Sequence, residues 1–115
     1  MVNLHELEQH LTELPTKIRN QELVVLEKEK LLREAKLEYD VCFGMTLTGS
    51  KAPNATEKKS MAIVGSQPEA KNVIEAEYNL KKEEAGLKYL ENRFVAFRKI
   101  SSIEIEMMKS QIQGV

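Results

Sequence analysis

Tryptophan is absent from this chain, cysteine occurs once, and proline and glycine are sparse, at three and five of 115 residues. A single cysteine, Cys42, excludes an intramolecular disulfide framework and a multi-cysteine zinc site within one chain, and it fits a reducing, intracellular setting. Few turn formers and only 5% aromatic residues suit long amphipathic helices better than a sandwich or a disordered tail. No apolar run approaches the roughly 18 residues that a membrane-crossing helix needs, and Met1–Glu6 has no basic region leading into an apolar core. The expectation is a cytoplasmic protein with no membrane contact. Charge of one sign is also lacking: the formal net charge is −1, so no global field draws the chain to DNA or anionic lipid.

What is present is a chain of single-domain length, 42% hydrophobic and 30% charged, which reads as all-α. Asn3 followed by Glu6 has the spacing of a capping box, so a helix is expected to begin there. Leu4, Leu11, Ile18, Val25, Leu32 and Tyr39 then recur every seven residues, with Leu7, Leu14, Gln21, Lys28, Ala35 and Cys42 as companions. Residues at these spacings share one helix face. Val24, Leu31 and Met45 are expected to broaden it. Pro15 lacks an amide hydrogen and restrains Leu14 before it, predicting a kink or a short break.

Gly44 and Gly49 supply stop signals, and residues 46–53 have turn composition. Asn54 with Glu57 repeats the capping-box spacing and predicts a short helix ended by Gly65. Ser66 or Gln67 then caps a last helix, with Pro68 and Glu69 suited to its first turn. Val73, Leu80, Leu87 and Phe94 carry its seven-residue repeat, with Ala76, Glu83, Leu90 and Phe97 as companions. Past Phe97 the apolar residues move to Ile100, Ile103 and Met107, a phase change that predicts a different packing partner or angle.

The arms match in length. Residues 3–46 would extend about 66 Å and residues 67–112 about 69 Å at the helical rise, so the expected architecture is one long antiparallel helical hairpin. It is kinked at Pro15 and carries a short helix within the tip, residues 47–66. Leu23, Leu26, Leu37, Ile74, Val95 and Ile105 fall off the main stripes and need a second neighbour. An N-terminal piece folding back would meet some of that need. Self-association, with a dimer favoured and Ile100, Ile103 and Met107 as the candidate interface, would meet more.

Leu14-Pro15, residues 49–59, Glu75-Ala76-Glu77 and residues 91–102 together resemble small helical-hairpin proteins of bacteriophages and prophages. The likeness spans nearly the whole chain. Such families are largely uncharacterised and commonly sit among early replication or recombination genes, so the resemblance implies a hairpin fold and a bacterial host cytoplasm.

The chemistry-bearing residues form no catalytic pattern. His5-Glu6 and His10 suggest a zinc-protease helix, but that motif needs its second histidine four residues after the first, where Gln9 stands. Gly49-Ser50-Lys51 lacks the spaced second glycine and preceding strand of a phosphate loop. Cys42 has no base nearby and reads as a small core residue. Neither catalytic residues, nor a cofactor, nor a metal is therefore expected.

Basic residues are the remaining candidates. Lys51, Lys58, Lys59 and Lys71 against Glu57 and Glu69 leave the tip positive by two, while residues 3–46 hold nine acids and six bases. Arg93, Arg98 and Lys99 beside Phe94 and Phe97 form a second basic group. Either could touch phosphates or an acidic partner surface. The expected function is a non-enzymatic, self-associating helical hairpin that binds a protein partner; the alternative is an accessory nucleic-acid binder in phage replication or recombination.

Overall fold

The computed structural model describes residues 3–113, so Met1 and Val2, which bear on the expected absence of a leader, lie outside it. Three helices follow in order: α1, Leu4–Gly49; α2, Ala55–Gly65; and α3, Gln67–Gln113. No strand occurs among the described residues, and the chain is all-α.

Each helix starts where a side chain or backbone oxygen can accept from its first amides. Asn3 Oδ1 accepts from the amides of His5 and Glu6 at 2.9 and 3.4 Å, and Asn54 Oδ1 accepts from that of Glu57 at 2.8 Å. These bonds satisfy donors that the helix cannot. Ser66 serves two helices at once. Its amide donates to Ala62 O at 3.0 Å, closing α2, and its own carbonyl accepts from Ala70 N at 2.9 Å, opening α3. Its hydroxyl also donates to Ala62 O at 2.6 Å, which explains how a fully buried serine is tolerated.

Gly65 does not end α2 through a left-handed backbone, since no glycine among the described residues has positive φ. Its value is space. A Cβ at Gly65 would stand 3.0 Å from Thr46 Cγ2, and the Thr46 hydroxyl is held by a 2.8 Å bond to Cys42 O. Missing side-chain volume therefore lets the end of α2 approach α1 closely.

The chain packs as two compact units, one taking in residues up to Val24 and from Glu84 onward, the other Val25–Glu83. In the first, Leu7 and Leu14 are buried and Leu11, Ile18 and Gln21 half-buried, while α3 contributes half-buried Leu87, Leu90, Phe94 and Phe97. His10 stacks on Phe97 with ring centroids 4.6 Å apart, and Gln21 lies against Gly86, where a Cβ would meet its amide nitrogen at 3.2 Å. Moving from 10 to 21 on α1 moves from 97 to 86 on α3, so the segments run antiparallel.

In the second unit Val25 and Ala62 are buried, and Lys28, Leu32, Ala35, Tyr39, Cys42 and Thr46 are half-buried along α1. Val73, Ala76 and Leu80 are half-buried on α3. Within each unit the seven-residue repeat of α1 and its companions are covered, joined by His10, Glu29, Phe43, Gly44 and Thr46. Leu4, at the start of α1, is the exception, at 49% exposure. Val24, Leu31 and Met45 do not widen that face, being 38%, 41% and 70% exposed.

Two other expectations are corrected. Of the kink or short break expected at Pro15, the break does not occur, since α1 continues through it, and no N-terminal piece folds back. Proline removes the amide that would bond to the Leu11 carbonyl, at a cost of about 3 kcal/mol or more. Pro15 itself is exposed, and Leu14 beside it is buried, so packing of Leu14 offsets part of that cost. After Phe97 the covered side does not change phase. It continues in the old register through half-buried Ser101 and Glu104, leaving Ile103 and Met107 exposed. Which side of a helix faces its neighbour is set by the geometry of their packing, and the apolar residues here leave that side.

Candidate interaction surface

The core of this chain is thin. Among the described residues Leu7, Leu14, Val25 and Ala62 are the buried hydrophobic ones, against twenty-one large apolar side chains that remain exposed. Scattered exposed leucines need no explanation, but apolar side chains aligned along a helix do. In the second unit Leu37, Val41 and Met45 recur every four residues on α1 and border a groove of about 570 Å³, which Glu38, Cys42 and Glu69 also line. A second groove, of about 630 Å³, lies between the end of α1 and α2, with Met61 and Val64 on its wall. Ser50 shapes its rim, donating to Met61 Sδ at 3.4 Å and accepting from Ala52 N at 3.2 Å.

In the first unit the concentration is at the end of α3. Ile103, Ile105, Met107, Met108 and Ile112 are all about half or more exposed. Of the three residues expected at an interface, Ile103 and Met107 are open and Ile100 is half-buried.

The basic residues divide between the units. Lys51 precedes α2, Lys58 and Lys59 lie on α2 and Lys71 is near the start of α3; Lys58 is half-buried and the others exposed. Arg93, Arg98 and Lys99 lie on α3 in the first unit. Arg93 sits 5.6 Å from the Tyr89 ring centroid and 5.7 Å from that of Phe97, and Arg98 lies 5.7 Å from that of Phe94. Guanidinium groups over ring faces are held by the ring quadrupole. One face of Phe97 is taken by His10 and Arg93 also approaches the ring, so this aromatic is a packing element and no open platform for a base. The His10–Phe97 stack was not legible in the sequence, because it needs the register between two distant segments.

Cys42 is half-buried, with a weak 3.9 Å contact to the Gly65 carbonyl oxygen. Among the described residues no three His, Cys, Asp or Glu side chains gather to hold a metal ion, and no helix is long and apolar enough to cross a membrane. Comparison of the chain with protein-family models, with curated proteins and with solved structures finds no match.

Proposed function

We propose that this chain is a non-enzymatic phage or prophage interaction protein, a long antiparallel helical hairpin bent at Pro15 that self-associates and presents a helical face to a protein partner in the host cytoplasm. The observation that carries the reading is the excess of exposed apolar side chains, with Leu37, Val41 and Met45 on α1 and Ile103 to Ile112 on α3 as its two concentrations. Aligned apolar surface of this kind is what helices use to bind helices. The resemblance of residues 49–59 and 91–102 to phage helical-hairpin proteins supports the biological setting.

The test is truncation after Ser102 followed by size exclusion with light scattering. The full chain is expected to elute as an oligomer and the truncated one as a monomer that keeps its remaining helix. A truncated chain that still associates would contradict this role for the end of α3. Capture from infected cells would then name the partner.

A second reading, an accessory nucleic-acid binder, is favoured by the exposed Lys51, Lys59 and Lys71, none of which forms an ion pair among the described residues. It predicts a salt-sensitive gel shift lost on charge reversal of Lys51, Lys58 and Lys59. No shift at low salt would remove it.

A further inference from the structure

One surface in each unit is unmatched within that unit, and the two match each other. On α1, Leu37, Val41 and Met45 are 63%, 52% and 70% exposed, a stripe whose eight helical rises cover about 12 Å. Glu38 and Glu69 line the groove beside it. Glu69 Oε2 is covered and accepts no hydrogen bond among the described residues. Two carboxylates along one groove make its wall acidic, and a cation brought by an occupant would complement them. The groove therefore suits a short helix that is apolar along one side and carries a positive charge at its edge.

The end of α3 offers an apolar side with Lys109 at one edge and Glu104, one turn before Met108, at the other. The pairs of residues 10 with 97 and 21 with 86 set the register in the first unit, and continuing it places Leu4, where Asn3 caps α1, beside position 103. From there α3 runs on to Gln113, past the point opposite the first residue of α1. Ile105, Met108 and Ile112 share one side at spacings of three and four, 50%, 48% and 76% exposed. Their seven rises cover about 10 Å, close to the α1 stripe. Lys109 lies on the same flank, one turn from both Ile105 and Ile112.

We infer that the end of α3 in one copy docks along the α1 groove of a second copy, setting Ile105, Met108 and Ile112 on Leu37, Val41 and Met45 with Lys109 toward Glu38 and Glu69. This rests on the self-association reading and gives it a geometry. Groove and tail are different surfaces, so the contact is heterologous: each pair keeps one unused groove and one unused tail, and growth continues past the dimer. A helix of this length in a groove makes an interface near the lower limit for specific association, about 1,000 Å² in total.

Complementation tests this directly. Val41→Asp leaves a chain with a tail and no groove, and Met108→Asp a chain with a groove and no tail. Both sites are exposed, and circular dichroism checks that helicity is unchanged. In sedimentation velocity the unaltered chain is expected to grow past the dimer with concentration. Each variant alone is expected to stay at single-chain mass, and their equal mixture to form a dimer and stop. Leu37→Ser paired with Ile105→Ser repeats the test without added charge. If the unaltered chain associates but the mixtures stay monomeric, self-association stands and the head-to-tail contact falls. That contact falls equally if either variant alone associates like the unaltered chain, or if Ile103→Ser with Met107→Ser abolishes association while Met108→Asp leaves it. An unaltered chain that is monomeric throughout overturns both the contact and self-association.

Discussion

Leu14→Ala probes the seam where it is tightest. Leu14 is 1% exposed and immediately precedes Pro15, so its packing holds α1 together where one backbone hydrogen bond is missing. Removing three carbons forfeits about 2.4 kcal/mol of transfer free energy at about 0.8 kcal/mol each. A residual cavity adds to this, but a two-helix seam open to solvent on both sides relaxes more readily than a globular core. The total is about 3 kcal/mol, in the lower half of the range for such substitutions. Unfolding entropy over 115 residues is about 0.24 kcal/mol/K, so Tm should fall by about 12 °C. Leu23→Ala, at a site 58% exposed on the same helix, should cost no more than about 0.5 kcal/mol. Thermal unfolding followed by circular dichroism, at concentrations low enough that association does not contribute, compares the two. Equal shifts, or a smaller one for Leu14→Ala, would refute the assignment of the seam to the seven-residue register.

Two further substitutions test local geometry. Gly65→Ala gains about 1 kcal/mol of helix propensity but crowds Thr46, so it should be more favourable by about 1 kcal/mol in a Thr46→Ala background than in the unaltered chain; additive effects in a double-mutant cycle would deny the close approach. Asn54→Ala should cost about 1 kcal/mol and speed hydrogen exchange at the Glu57 amide, whereas unchanged exchange there would deny the cap.

Much of this architecture is local and so was legible in the sequence. The repeat from Leu11 to Tyr39 with its companions from Leu7 to Cys42, the repeat from Val73 to Phe97, and the caps at Asn3, Asn54 and Ser66 all depend on residues within a turn or two of one another. What could not be read depends on distant segments. Gly65 looks like a stop signal until Thr46 is placed against it, and Gly86 carries no signal at all until Gln21 is seen opposite. Pro15 predicts a kink or a short break from its own chemistry, but α1 runs on through it beside the buried Leu14 without a break. After Phe97 the apolar residues suggest a rotated face, yet α3 keeps its covered side through Ser101 and Glu104. Hydrophobic pattern and burial part company there, and among the exposed apolar residues of that stretch Ile105, Met108 and Ile112 form the side assigned to association.

The central claim is that surface left open by the two long helices is closed by another copy of the chain. Sedimentation equilibrium over a dilution series, from high to low micromolar, measures this most directly. The account predicts an apparent mass at the single-chain value when dilute that rises past twice that value when concentrated, with helicity unchanged. A mass fixed at the single-chain value across the whole series, with the chain fully helical, would contradict it.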